Sequence, residues 1–125
     1  MSSEEISRLE QLRDDIEKIE ISYDYEKTYT ELRNTVIDYM NETQDWDLDY
    51  LFEEFIDYET AEEIAKRELE NGGLIRLYYF LGDANLNNPI FKIDGYGNLT
   101  DIDKDDLSCL KNDIIDNIYD KLNNN

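Results

Sequence analysis

The chain contains no histidine, and it has only one cysteine, one proline and one tryptophan among its 125 residues. Histidine is the side chain whose ordinary pKa lies closest to neutral pH, and it is the commonest metal ligand. Its absence removes the usual general base, the usual activator of a nucleophile and the usual zinc ligand. We therefore predict a protein that is not an enzyme, with no catalytic residues, no cofactor and no bound metal.

Cysteine and long apolar runs are equally scarce. The single Cys109 cannot form a disulfide bond within the chain, which suits a reducing cytoplasm. Residues 1–5 lack the basic and apolar segments of a signal peptide, and no apolar run approaches the roughly 18 residues of a membrane span. We expect a cytoplasmic protein, in which Cys109 is a small buried residue of the last helix.

Basic residues are also few, since acids outnumber them 32 to 12 and the net charge is −20. Such a chain folds only if it can bury enough apolar surface. Leu, Ile, Val and Phe make up 33 of its 125 residues, above the level of about 20% below which high charge indicates disorder. We predict a single folded acidic domain over residues 1–125 that anionic membranes and nucleic acids would repel.

Apolar spacing predicts a mainly α fold of the α+β class, with five or six packed helices and one short β-hairpin near residues 90–102. Ser2 and Glu5 can open the first helix, and Asp45 or Asp47 a short third helix. Thr60 can open a fourth, which Asn71-Gly72-Gly73 would end. The inner faces predicted for the first three helices are Ile6, Leu9, Leu12, Ile16 and Ile19; then Tyr25, Tyr29, Leu32, Val36, Tyr39 and Met40; then Leu48, Leu51, Phe52, Phe55 and Ile56.

The second half of the chain holds a buried helix and the hairpin. Residues 74–81 are too apolar for an exposed element and predict a buried helix. Residues 90–94 and 98–102 predict two strands joined by Gly95-Tyr96-Gly97. Asp103 with Asp106 can cap the last helix. The inner face predicted for that helix is Leu107, Leu110, Ile114, Ile115, Ile118 and Leu122.

The negative charge is concentrated. Between Arg33 and Lys66 there is no Lys or Arg, and we call residues 34–65 the base-free stretch. A smaller cluster at residues 101–106 is relieved only by Lys104. Crowded like charges destabilise a compact state, so their retention indicates use. The acids of the base-free stretch are Asp38, Glu42, Asp45, Asp47, Asp49, Glu53, Glu54, Asp57, Glu59, Glu62 and Glu63.

Two interpretations of this stretch remain open. One is a solvated acidic face that keeps the protein soluble. The other is a surface that imitates the phosphates of DNA and fills the Lys- and Arg-lined groove of a nucleic-acid-binding protein. Trp46, Tyr50 and Tyr58 lie among the acids and could supply aromatic contacts. The predicted partner-binding residues are Asp45, Trp46, Asp47, Asp49, Tyr50, Glu53, Glu54, Asp57, Glu59, Glu62 and Glu63.

A calcium site is the strongest metal alternative. From Asp83, the ligand positions 1, 3, 5 and 12 of an EF-hand loop fall on Asp83, Asn85, Asn87 and Asp94. Asn88 replaces the glycine of position 6, however, and Gly95 follows where a helix should begin. We interpret the segment as an Asn-rich turn.

In size, predicted helix content and the acid run over residues 38–63, the chain resembles the anti-CRISPR and anti-restriction DNA mimics of phages and mobile elements. Residues 72–83 and 93–99 also resemble uncharacterised phage proteins. The first resemblance implies a partner that is a CRISPR nuclease such as Cas9, or a restriction nuclease, with no direct binding of nucleic acid or membrane. It also implies that residues 45–63 occupy the DNA-binding groove. An immunity or antitoxin protein that covers a basic toxin, and a non-enzymatic protein-interaction module, are the alternatives.

Overall fold

The computed structural model describes residues 2–70 and 90–124. Those residues are mainly helical with a small antiparallel sheet, so the predicted α+β class is confirmed. In chain order the elements are α1 (Ser3–Lys18), α2 (Tyr25–Thr43), a 3-10 helix (Asp49–Phe52), β1 (Phe55–Ile56), α3 (Tyr58–Glu70), β2 (Phe91–Ile93), β3 (Leu99–Asp101) and α4 (Lys104–Asn123).

The chain divides into two compact units. The first unit comprises Met1–Phe52 and Asp103–Asn125, and so contains α1, α2, the 3-10 helix and α4. The second unit comprises Glu53–Ile102 and contains α3 and the three strands. The base-free stretch crosses from the first unit into the second between Phe52 and Glu53, so its acids belong to two separate packing units.

Three amphipathic helices build the first unit. Each has apolar residues at spacings of three and four, which places them on one face, and α4 packs against both α1 and α2. The predicted inner faces are largely confirmed, although Ile6, Ile19, Tyr25, Ile115 and Leu122 are only half-buried. The buried residues are Leu9, Leu12 and Ile16 of α1; Thr28, Tyr29, Leu32, Val36, Tyr39 and Met40 of α2; and Leu107, Leu110, Ile114 and Ile118 of α4.

Polar contacts fix the ends of these helices. The Ser2 hydroxyl accepts a hydrogen bond from the Glu5 backbone N–H (3.2 Å), and Asp103 and Asp106 form a reciprocal capping box at the start of α4. At the other end of α1, the Lys111 ammonium of α4 donates to the Ile19 backbone carbonyl (2.6 Å). A cation at a helix C-terminus also interacts favourably with the helix dipole. The helix starts predicted at Ser2 and at Asp103 are therefore both confirmed.

The second unit packs α3 on a three-stranded antiparallel sheet of order β1-β2-β3. In the outer pair Phe55 lies opposite Lys92, and in the predicted hairpin Ile93 lies opposite Leu99. The hairpin turn places Gly97 at φ 79°, in the left-handed region that glycine adopts without strain. A small apolar core of Ala61, Phe91 and Leu99, with Ile56, Ile64 and Ile93 packed against it, holds the layers together.

Five or six helices were predicted, and the structure has four α-helices within residues 2–70 and 90–124. The third predicted helix is wrong. The apolar spacing of this segment suits a helix, but only Asp49–Phe52 are helical, and they form a 3-10 helix. Phe55 and Ile56 form a strand that pairs with β2. Tertiary pairing with a strand distant in sequence overrides the local pattern. The helix predicted at residues 74–81 and the stop at residues 71–73 lie outside the described residues.

Two smaller predictions are also wrong. The capping acceptor at the start of α3 is the Asp57 carboxylate and not the Thr60 hydroxyl. The Asp57 carboxylate accepts a hydrogen bond from the Thr60 backbone N–H at 2.8 Å. Cys109 is exposed rather than buried. It precedes the buried Leu110 on α4, and the helical turn of about 100° per residue carries it off the inner face.

Removing the cap of α4 should destabilise the first unit. In an Asp103→Ala variant the Asp106 backbone N–H loses its side-chain acceptor at 2.9 Å, so the free energy of unfolding should fall by about 1 kcal/mol. Urea denaturation followed by far-UV circular dichroism measures the change. Asp105→Ala is the matched control, because it removes the same charge from the same turn without removing the capping acceptor. Equal losses in both variants would contradict the role given to the cap.

Candidate partner-binding surface

The predicted partner-binding residues lie on both units. Asp45, Trp46, Asp47, Asp49 and Tyr50 follow α2 in the first unit, and the remaining predicted acids lie on or beside α3 and β1 in the second. Every predicted acid except the half-buried Asp45 is exposed. The two groups therefore belong to different packing units.

In the first unit, the loop after α2 is shaped by local backbone and side-chain geometry. Gln44 ends α2 in the left-handed conformation, with φ 58°. The Asp45 carboxylate then accepts the Asp47 backbone N–H at 3.1 Å, which is an Asx turn. Leu48 is almost completely buried and anchors the loop in the core. The residues on either side of Leu48 are consequently held at the surface.

Lys121 of α4 joins the two carboxylates of this loop. Its ammonium lies 2.9 Å from Asp45 Oδ2 and 3.0 Å from Asp47 Oδ2. The Tyr39 hydroxyl also approaches Asp45 Oδ2, at 3.5 Å. The acids predicted to lack a base therefore have one, supplied by a residue that follows them by more than seventy positions. The base-free stretch is base-free in sequence but not in space.

The same arrangement shifts three pKa values. Burial alone would raise the pKa of Asp45, but the hydrogen bonds from Lys121 and from the Asp47 backbone N–H outweigh it and lower that pKa. Burial alone would lower the pKa of Lys121, yet its bonds to Asp45 and Asp47 raise it. Burial and the neighbouring Asp45 charge together raise the pKa of Tyr39. Asp45 and Lys121 are accordingly both ionised at neutral pH.

The two aromatic residues of this loop stay open to solvent. Trp46 and Tyr50 are each 50% exposed. The Tyr50 hydroxyl donates to Asn117 Oδ1 at 2.5 Å, and Asn117 Nδ2 donates to the Asp113 backbone carbonyl at 2.8 Å. Helix α4 thus contacts the loop at two places, one turn apart, through Asn117 and Lys121.

In the second unit, several acids have structural partners. Asp57 begins α3, Glu54 lies 3.7 Å from the Lys92 ammonium, and Glu62 lies 3.5 Å from the Lys66 ammonium. Within the described ranges, no ion pair involves Glu53, Glu59 or Glu63, nor Asp49 of the first unit. These four acids keep an uncompensated charge at an exposed position. The side chain of Tyr58 lies outside what the structure describes.

Sequence reasoning missed the bases that compensate the stretch. Arg8 of α1 forms an ion pair with Glu42, and Lys92 and Lys121 contact Glu54 and Asp45. These partners are distant in sequence, so no local pattern pairs them. One signal was present: Asp113, Asn117 and Lys121 recur at every fourth residue, which predicts a single polar stripe on α4.

A metal site and a membrane-spanning helix are both absent from the residues that the structure describes. Over residues 2–70 and 90–124, no group of three or more His, Cys, Asp or Glu side chains is placed to hold a metal ion. Most of the predicted calcium alternative, residues 83–89, lies outside those ranges. None of the helices in the described ranges combines the length and the apolar character needed to cross a membrane.

Comparison of the chain with models of protein families, with curated proteins and with solved structures found no match.

Replacing Lys121 with Met should destabilise the first unit and change its dependence on pH. The folded pKa of Asp45 is lowered, so its stabilising contribution is complete above its unfolded pKa of about 3.9 and is lost as pH falls through the folded value. Without Lys121 the folded pKa of Asp45 rises towards the unfolded value, so this contribution, and the loss of stability with falling pH that goes with it, should become smaller. We expect unfolding free energy at neutral pH to fall by about 1 kcal/mol, measured by urea denaturation.

NMR titration of the Asp45 carboxyl would measure its pKa directly. Lys104→Met is the matched control, because it removes one exposed Lys from the same helix and should leave the pKa of Asp45 unchanged. An unchanged pKa of Asp45 in Lys121→Met would contradict the assigned ion pair.

Proposed function

We propose that the chain inhibits a bacterial defence nuclease by filling its basic nucleic-acid groove as a DNA mimic, within the bacterial cytoplasm. A CRISPR effector such as Cas9 is the first partner to test. The observation that carries this proposal is the set of exposed acids without an ion pair in the described ranges: Asp49, Glu53, Glu59 and Glu63.

The protein keeps these acids at a cost to the stability of its folded state. At a net charge of −20, mutual repulsion destabilises the folded chain. On α3, Glu59 and Glu63 are four residues apart, so their side chains are neighbours at about 5–6 Å and repel each other. A basic groove relieves this repulsion, and its potential would also speed association.

Neutral variants of the four acids test the proposal without adding new charges. Asp49→Asn, Glu53→Gln, Glu59→Gln and Glu63→Gln together should weaken binding to guide-loaded Cas9 by roughly tenfold or more, because local Coulomb attraction is lost. Glu54 and Asp57 are left intact, since Glu54 pairs with Lys92 and Asp57 caps α3. Biolayer interferometry in the absence of DNA measures the affinity.

The control has the same net charge. Glu10→Gln, Glu17→Gln, Glu20→Gln and Asp116→Asn neutralise four exposed acids outside the base-free stretch and should leave the affinity within about twofold. Equal losses in both variants would mean that total charge, and not these four acids, drives binding. Full binding by the first variant would remove the proposal.

Two further measurements address mechanism and partner. For a mimic, inhibition of DNA binding in a mobility-shift assay should weaken as target DNA is raised, and direct affinity should fall steeply with salt. A restriction nuclease is the second enzyme to test. If neither nuclease is inhibited but a basic toxin is neutralised, the immunity alternative replaces the proposal.

A further inference from the structure

The protein's single tryptophan lies at the surface rather than in the core. Trp46 and Tyr50 are both half exposed, on either side of the buried Leu48. The Asp49 backbone N–H donates to the Trp46 carbonyl at 3.1 Å, and this tight turn keeps both residues in one short segment. Large aromatic side chains are normally buried or used in interfaces, so two half-open rings in one turn mark this segment as a candidate interaction surface.

Helix α4 fixes this surface in place. Lys121 bonds to Asp45 and Asp47, the two residues on either side of Trp46, and Asn117 accepts the hydroxyl of Tyr50. These contacts order the loop before any partner arrives. A surface ordered in advance loses less entropy on binding, so it binds more tightly than a mobile loop with the same side chains.

The chemistry of the surface selects the side chain that it can bind. Aromatic ring faces attract cations, and the exposed carboxylates of Asp47 and Asp49, which adjoin Trp46 and Tyr50 in the sequence, repel phosphates and other anions. Asp47 is still 77% exposed although it contacts Lys121, so its carboxylate is accessible to a partner. Arginine fits better than lysine, because its planar guanidinium stacks on aromatic rings, pairs with carboxylates in two-point geometry and is less strongly hydrated.

We propose that Trp46 and Tyr50, with Asp47 and Asp49, form an arginine-binding surface that recognises a guanidinium group of the partner protein. This inference rests on the proposed function, since the arginine would belong to the basic groove. It adds a preference that negative charge alone does not give. A purely electrostatic surface treats Arg and Lys alike, whereas this one distinguishes them.

Trp46 supplies its own measurement, because it is the only tryptophan of the chain. We would titrate the full chain with nona-arginine and nona-lysine peptides of equal charge and follow tryptophan emission. Nona-arginine should change the emission and bind about two- to fivefold more tightly than nona-lysine, as expected for an exposed cation–π contact. Equal affinities with unchanged emission would overturn the proposal.

Two variants make the test specific, with affinities measured by calorimetry. Trp46→Leu should abolish the preference for arginine and leave the affinity for nona-lysine nearly unchanged. Tyr23→Leu is the matched control, because Tyr23 is a 97% exposed aromatic residue of the same unit outside this surface, and it should retain the preference. If Trp46→Leu still binds nona-arginine more tightly than nona-lysine, the proposal is overturned.

Lys121 serves as a positioning residue, and its replacement separates order from charge. Lys121→Met makes the protein more negative, so charge alone predicts tighter binding of both peptides. A positioning role predicts a different change. The ratio of the nona-arginine affinity to the nona-lysine affinity should fall in Lys121→Met and be restored in Lys121→Arg. A preference that is unchanged in Lys121→Met would contradict the positioning role.

The peptide titration involves no nuclease, so its outcome is independent of the proposed partner. An arginine preference without inhibition of any nuclease would keep the surface and reject the proposed function. Nuclease inhibition without an arginine preference would keep the proposed function and reject the arginine-binding surface.

Discussion

The first unit depends on the packing of α4 against α1 and α2. Leu107, Leu110, Ile114 and Ile118 are buried in this contact, and burial of such side chains stabilises the folded state by roughly 1.5–3 kcal/mol each. The polar side of the same helix carries Lys111, Asn117 and Lys121, which reach the end of α1 and the loop after α2. One helix therefore supplies both the apolar contact and the polar contacts that order the candidate surface.

A strongly acidic chain faces a conflict between folding and binding, and this structure divides its acids accordingly. Some carboxylates have structural tasks: Asp103 and Asp106 cap α4, Asp57 begins α3, and Asp45 holds Lys121. Others, such as Glu59 and Glu63, have no ion pair in the described ranges. The first class offsets part of the repulsion that the second class creates. Total charge alone would conceal this division.

The sequence predicted what depends on local spacing. The buried stripes of α1, α2 and α4, the helix starts at Ser2 and Asp103 and the hairpin all follow from residues within a few positions of one another, and the structure confirms most of them. Pairing between segments that are distant in the chain could not be predicted from the sequence. Strand β1 forms only because β2 offers it a partner, and Lys121 compensates Asp45 only because α4 packs beside that loop. The exposure of each acid was likewise predictable from the sequence. Which of the exposed acids would have no ion pair was not predictable.

The first unit is assembled from two separated parts of the chain, with residues 53–102 between them. During synthesis, α1 and α2 leave the ribosome with their apolar faces uncovered until α4 follows. At roughly 5–20 residues per second, the interval is on the order of several seconds. Because α1 and α2 contact each other in the folded chain, a hairpin of these two helices could form first, and its carboxylates would keep neighbouring copies apart by repulsion. The acids of α1 and α2, which lie outside the set that we assign to partner binding, would thus protect the protein while it is being made.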